Sequence, residues 1–290
     1  MDQCTVTIRR RPAGGSSEHE DQRHVVHVEL HGELGGASTR SGGAGIRSVA
    51  AAGVPMALAE LHRALPVGGI LDVTVLGHAG GPPFSLTNPD VLCRLLTGAG
   101  FTVDEAAAGV TVDGTSPRVV ARATRARSLP DTVGPRMRLL VCGLNPSLYA
   151  ADAGVGYARP GNRFWPAAMA AGLVVEDRDA DAALSRGVGL TDLVKRATVS
   201  AGDLDAAEYR YGLERVTWLA SWLRPGAVCF VGLAGWRAAA DRRAGPGVQP
   251  GDLGGAPVYV MPSTSGLNAR TSLADLTEHL RSAAALADGH

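Results

Sequence analysis

Three short apolar runs in the second half of the chain each end in a loop of small and polar residues, and helical periodicity fills the gaps between them. Leu139-Leu140-Val141-Cys142 sits inside a strand read over 138–144, a second strand covers 227–233 and a third 257–261. Runs this short and this uniformly apolar are strands buried on both faces. The intervening patterns predict helices over 162–171, 205–223, 235–243 and 271–288. In the longest, Tyr209, Leu213, Val216, Leu219 and Leu223 recur at helical spacing and mark a core-facing stripe. Alternating strands and helices predict an α/β domain whose largely parallel sheet is covered on both sides. This second domain is expected over 136–290.

The 290 residues exceed what one average domain needs, at roughly 100–200 residues per domain. Residues 1–45 carry no sustained periodicity and read as a disordered or poorly packed arm, with Val25-Val26-His27-Val28 as a strand remnant. No run of 18 or more uncharged apolar residues is present, and no apolar segment follows Arg9-Arg10-Arg11, so neither a membrane span nor a secretory signal is expected. Cys4, Cys93, Cys142 and Cys229 stand far apart, the pattern of buried thiols in a reducing cytoplasm rather than of a disulfide frame or a CxxC metal site. Basic and acidic residues balance at 28 each, which removes the global field of a strongly basic nucleic-acid binder. Any contact with nucleic acid must come from a local surface. Lys195 is the single lysine, so Schiff-base chemistry on a side chain would have to use it.

Residues 46–125 read as a helix around Leu58, Leu61, His62 and Leu65, a strand over 70–76, a helix over 88–98 and short strands at 101–103, 110–112 and 119–123. This order resembles the C-terminal half of a class I methyltransferase fold over about 80 residues, a partial Rossmann-like α/β module. That family carries a glycine-rich cofactor loop after its first strand. Gly42-Gly43-Ala44-Gly45 has no strand before it, so the module is expected to be degenerate and free of cofactor. Residues 126–135, with two prolines and a glycine, read as a linker.

The loops after the first and third strands of the second domain carry the chemistry. One is Gly143-Leu144-Asn145-Pro146-Ser147, the other runs from Pro262 to Arg270. In an open parallel sheet ligands bind beyond the carboxyl ends of the strands, so both loops should share one rim.

"GLNPS" at 143–147, "GYARPGNRFW" at 156–165 and "PSTSGLNAR" at 262–270 together resemble the mismatch-specific uracil/thymine DNA glycosylase family, over 136–290. The resemblance implies a three-layer α/β/α fold and hydrolysis of the N-glycosidic bond of a uracil-type base flipped out of duplex DNA, with no metal and no cofactor. Physical chemistry fits: a stacked nucleotide must leave the helix before its anomeric carbon is accessible. The transition state then needs a placed water and donors around the departing pyrimidine.

The resemblance gives Asn145 the role of orienting the water; taken alone, Asn145-Pro146 is only a turn. Leu144, Pro146 and Ser147 would border the pyrimidine edge, Ser147 standing where Gly is commoner in the family. Ala150 matches the branch that accepts thymine, and is otherwise a plain helix former. Tyr157 matches the aromatic that stacks on the flipped base, worth roughly 1–3 kcal/mol, against an ordinary aromatic packing on the core. Asn162 would cap a helix or hold the pocket loop, while Phe164 and Trp165 read as core.

In the second loop, Ser263, Thr264 and Ser265 could contact phosphates, Gly266 gives close backbone approach and Leu267 would fill the hole left by the flipped nucleotide. Asn268 or Arg270 could reach the opposing base or the backbone. The same stretch also reads as a Ser/Thr-rich turn capping the last helix, with Thr271 near the cap. Asp192, at the end of a short apolar segment, could line the rim and assist the water or stabilise the sugar cation, or merely cap. Lys195 would face away on a helix, so cleavage without lyase activity is expected. The histidines have no metal-ligand spacing.

The sequence thus predicts a cytoplasmic DNA-repair glycosylase, acting as a monomer on double-stranded DNA with a mismatched or deaminated pyrimidine. Two rivals are a non-catalytic damage-binding protein and a methyltransferase carrying a DNA-targeting domain. S-adenosylmethionine binding separates the last of these.

Overall fold

The computed structural model describes residues 3–10, 25–33, 46–50, 53–76, 86, 88–113 and 116–289. The chain divides into two compact units after Ala126.

The first unit is built on one sheet. Strands β1 (Gln3–Arg10), β2 (Val25–Glu33), β3 (Ile46–Ala50), β4 (Ile70–Leu76), β5 (Phe101–Asp113) and β6 (Ser116–Arg125) lie in the order β3-β1-β2-β4-β6-β5. Only β2 and β4 run parallel; every other neighbour is antiparallel. Two segments of the expected arm are therefore strands of this sheet, because each finds a ladder partner. The rest of the arm, including the glycine cluster at 42–45, lies outside the described residues. The short strands expected at 101–103 and 110–112 are one strand, irregular between Asp104 and Gly109. Among the described residues two helices pack in this unit, α1 (Val54–Ala64) and α2 (Pro89–Gly98). Proline in the first turn presets the backbone of both, and Asn88 caps α2 by accepting the Asp90 N–H at 3.0 Å. Their apolar stripes, Leu58 and Leu61 on α1 and Val91, Leu92, Leu95 and Leu96 on α2, are buried with Leu71, Val73 and Val75 of β4.

In the second unit, strands β7 (Leu139–Gly143), β8 (Val188–Asp192), β9 (Ala227–Val231), β10 (Gly247–Leu253) and β11 (Ala256–Met261) form a sheet in the order β10-β11-β9-β7-β8. The four strands from β11 to β8 are parallel, and β10 closes the edge antiparallel to β11. Side chains alternate between two cores. Leu139, Val141, Ala227, Cys229, Tyr259 and Met261 face α4 (Phe164–Ala170), α5 (Ala180–Ser185) and α8 (Leu273–Asp288). Leu140, Cys142, Val228, Phe230, Val258 and Val260 face α6 (Ala206–Leu223) and α7 (Leu233–Ala239). The unit is an α/β domain with a mixed, mostly parallel sheet and helices on both faces. A short helix, α3 (Leu148–Ala153), follows β7. Among the described residues no helix is long and apolar enough to cross a membrane.

Of the linker expected over 126–135, all but Ala126 is part of this unit. Ser128, Leu129, Asp131, Thr132 and Val133 are buried, and Thr132 bridges the β8 residue Leu190, its N–H donating to the Leu190 carbonyl at 2.9 Å. Prolines broke the helix and strand patterns there, but the segment gains its backbone partners from the exposed edge of β8.

Candidate functional site

The parallel register carries the ends of four strands to one rim: Gly143 pairs with Asp192, and Met261 with Val231. Gly143-Leu144-Asn145-Pro146-Ser147 leaves β7 and runs beside the segment that leaves β8. The Leu193, Val194 and Thr198 N–H groups donate to the carbonyls of Gly143, Leu144 and Pro146 at 2.9, 2.9 and 3.2 Å. The two chains are thus zipped beyond the sheet itself.

That rail fixes Asn145. Its Nδ2 donates to Thr198 Oγ1 at 2.8 Å, the Arg196 carbonyl at 3.0 Å and the Pro146 carbonyl at 3.2 Å. Thr198 Oγ1 in turn donates to the Ser200 carbonyl at 2.8 Å, so it meets Asn145 as an acceptor. With the amide nitrogen held on three oxygens, the amide is oriented and Oδ1 remains as an acceptor for a mobile group. Thr198 was missed in the sequence; a hydroxyl so far along the chain gives no local signal. Ser147 caps α3, its Oγ accepting the Ala150 N–H at 3.1 Å, and Ala150 is buried on that helix. Leu144 packs on the core beside α6 and α7, and Pro146 is buried.

Tyr157 lies on the loop before α4 with a left-handed φ of 59°, and its ring stacks on Phe164 with centroids 4.1 Å apart. Its hydroxyl is buried without a hydrogen-bond partner. Phe164 and Trp165 are core, as read from the sequence, and Trp165 Nε1 donates to the Gly156 carbonyl at 2.8 Å. Asn162 turns the chain into α4, its Oδ1 accepting the Phe164 N–H at 2.9 Å.

Gly143 shows how tightly this corner is filled. A Cβ there would overlap Asp192 Oδ1 and stand 3.0 Å from the Tyr157 hydroxyl. Asp192 therefore does face the rim next to the first loop. Burial pushes its carboxyl up to about 6; Lys195 and Arg215 pull it down while Asp131 pushes it further up. Burial also raises the Tyr157 phenol well above its ordinary value, and Asp192 adds to the effect.

Beneath Asp192 lies a buried ionic cluster that sequence reading did not find. Asp131 accepts Lys195 Nζ at 2.8 Å and Thr191 Oγ1 at 2.7 Å on one oxygen, and Arg215 Nη1 at 2.6 Å on the other. Arg215 Nη2 also donates to the Asp192 carbonyl at 2.6 Å. Burial alone would raise the Asp131 carboxyl, but Arg215 and Lys195 hold it below the usual carboxylate range. Lys195 is not on a helix: it follows β8 and points into this cluster. Arg215 sits four residues before Leu219, on the buried stripe of α6, and is only 1% exposed. A charge on that stripe was the available signal.

The loop after β11 presents Leu267 at 85% exposure, with Arg270 also exposed. Several of its expected DNA contacts have other duties. Thr264 is 1% exposed and belongs to the interior, because its backbone joins the loop to Arg163. Asn268 spends Nδ2 on the Ser263 carbonyl and Thr271 Oγ1, at 2.8 and 3.0 Å. Ser263 and Ser265 brace the turn by accepting the N–H groups of Ser265 and Leu267. Gly266 allows close approach of protein backbone: a Cβ would stand 2.9 Å from the Gly161 carbonyl. Ser272, one residue beyond the expected cap, closes a capping box with Asp275 at the start of α8. Arg163, which the sequence reading passed over, reaches across to three carbonyls of this loop.

The rim thus gathers Asn145, Tyr157, Asp192 and the loop carrying Leu267 around the carboxyl ends of parallel strands. Comparison with known protein families matches residues 130–286 to the Uracil DNA glycosylase superfamily, a span that begins beside Asp131 and ends within α8. A general DNA glycosylase or hydrolase activity, with DNA as partner, is consistent with that match. Covering more than half of the chain, it establishes that this protein belongs to the Uracil DNA glycosylase superfamily.

Proposed function

We propose that the second unit is a monofunctional, mismatch-directed glycosylase that removes uracil, and thymine as a second substrate, from G·U and G·T pairs in double-stranded DNA. The observation that carries this reading is the anchored amide of Asn145, whose nitrogen is held by three oxygens so that Oδ1 is left to accept a hydrogen bond from water. In the reaction the bond from C1′ to the pyrimidine nitrogen breaks and its electron pair leaves with the base. Water adds hydroxyl to C1′, and its remaining proton ends on the released base. An amide cannot ionise, so Asn145 orients the water rather than deprotonating it, and modest turnover follows.

Around this step Tyr157 offers an aromatic face and Leu267 an apolar side chain to occupy the vacated stack. Ala150 leaves room for the thymine methyl group. Asp192, beside Gly143, is a second acceptor that stabilises the sugar cation once ionised. Lys195 is buried against Asp131 and is not offered to an abasic sugar, which supports cleavage without lyase chemistry.

The test is base release from labelled duplexes carrying G·U, G·T or A·U, comparing the natural protein with Asn145→Ala. Abasic sites should form on G·U and fall by about 100-fold or more in the variant, the scale of losing one preorganised hydrogen-bonding group at the reacting centre. Tight mismatch binding by both proteins without base release would overturn this reading in favour of a damage-binding protein.

For the first unit we infer a degenerate methyltransferase-like module. The reading rests on β6 running antiparallel between β4 and β5, with α2 joining β4 to β5. Titration with S-adenosylmethionine should leave its melting temperature unchanged; a saturable rise would instead favour a working methyltransferase.

A further inference from the structure

The loop after β11 has a problem common to turns: its carbonyls point inward, away from water, and need donors. Arg163 supplies them. Nη2 donates to the Asn268 carbonyl at 2.6 Å and the Ser265 carbonyl at 3.2 Å, and Nη1 to the Thr271 carbonyl. The Arg163 backbone N–H adds a fourth bond, to the Thr264 carbonyl at 2.9 Å. These four acceptors bracket Leu267 on both sides. Arg163 also stands directly before Phe164, whose ring stacks on Tyr157. One residue therefore ties the aromatic corner of the rim to the loop bearing its most exposed apolar side chain. The planar, forked guanidinium is suited to fixing several carbonyls at once, which a lysine ammonium on its flexible stem is not.

We infer that Arg163 is a positioning residue for base extrusion: it holds the 262–271 loop in the pose in which Leu267 enters the stack. The inference rests on the reading of the rim as a base-extruding site. An apolar side chain held ready in solvent has already lost the freedom it would otherwise lose on binding DNA. Release of the loop would restore that loss, and extrusion would weaken while the water-holding corner at Asn145 stays intact. Gly266 provides an independent handle on the same pose. It touches the loop that carries Gly161, and an added methyl group must push the two apart.

The experiment uses 2-aminopurine next to uracil, whose fluorescence rises when its neighbour leaves the stack, whether or not the glycosidic bond is then cut. Two duplexes are compared, one with uracil opposite guanine and one with uracil opposite an abasic site, where no paired base resists extrusion. Arg163→Lys should lower the extrusion equilibrium on the G·U duplex by about tenfold, the scale of losing one charge-assisted hydrogen bond. The abasic-partner duplex should change little. Gly266→Ala should reproduce this pattern, and it decides the matter if Arg163→Lys fails to fold by circular dichroism.

Equal losses on both duplexes, or no loss on either, would overturn the inference and leave Arg163 a purely structural staple. Extrusion by the natural protein without base release would sink the glycosylase reading while the inference stands. Absence of any fluorescence rise would sink both.

Discussion

Two carboxylates on either side of β8 make the most instructive comparison in the molecule. Asp131 lies in the floor beneath the strand and Asp192 at its carboxyl end, and both are pushed toward the neutral form by burial. Asp131 meets two cations and a hydroxyl at hydrogen-bonding distance and stays ionised. Asp192 feels the same two cations only through space, while the Asp131 charge opposes its ionisation, and its carboxyl is held at about 6. The cations are thus committed to the floor. What the floor holds fixed is the backbone of the rim, through the Arg215 bond to the Asp192 carbonyl, so one acid serves as ballast and the other is left adjustable.

Breaking the comparison at its stronger half should have the largest effect. Asp131→Asn leaves Lys195 and Arg215 buried without the carboxylate that is hydrogen-bonded to both, at a cost of about 3–5 kcal/mol at neutral pH. The native Asp131 carboxyl lies below its unfolded value, so its contribution is complete above the ordinary carboxylate range and fades as pH falls through the folded value. The stability gap between variant and natural protein, read from urea denaturation, should therefore be widest at neutral pH and close on acidification. A gap independent of pH would mean that the cluster is not held by charge.

Asp192→Asn should act in the opposite sense and more gently. Its folded carboxyl lies above the unfolded value, so the natural protein loses stability as pH rises from about 4 to about 6 and is level thereafter. The variant should lack that slope and gain on the natural protein across this window. In base release from G·U, the natural protein should also show a rise in rate through about pH 6 that the variant has lost. An unchanged profile would reduce Asp192 to a filler of space beside Gly143.

The contrast also explains what could be read in the sequence. Strands β7, β9 and β11 were visible because burial on both faces makes them uniformly apolar, and α6 because Val216, Leu219 and Leu223 repeat with the helix. Edge strands gave no such signal. β8 follows Gly187, contains Gly189 and has a polar end, and β10 contains Pro250, tolerable only at a sheet edge. At the rim, Asn145, Tyr157 and Leu267 stood out because each lies in a motif. The groups that hold them did not. Thr198 meets the Asn145 amide from far along the chain, and Arg163, Asp131 and Arg215 act across the fold on backbone carbonyls or on one another; neither kind of contact leaves a local trace in an amino-acid sequence. The 127–135 segment was lost for a related reason: two prolines mimic a linker even when the fold supplies its partners.

The crowding around Gly143 makes the cost of one substitution depend on another. Asp192 and Tyr157 already fill the space that any larger residue at 143 would enter. A Cβ there overlaps Asp192 Oδ1 and presses on the Tyr157 hydroxyl, so shortening Asp192 first removes the overlap and leaves only the tight contact with Tyr157. Gly143→Ala should therefore cost less stability in a background where Asp192 has already been shortened to Ala than in the natural protein.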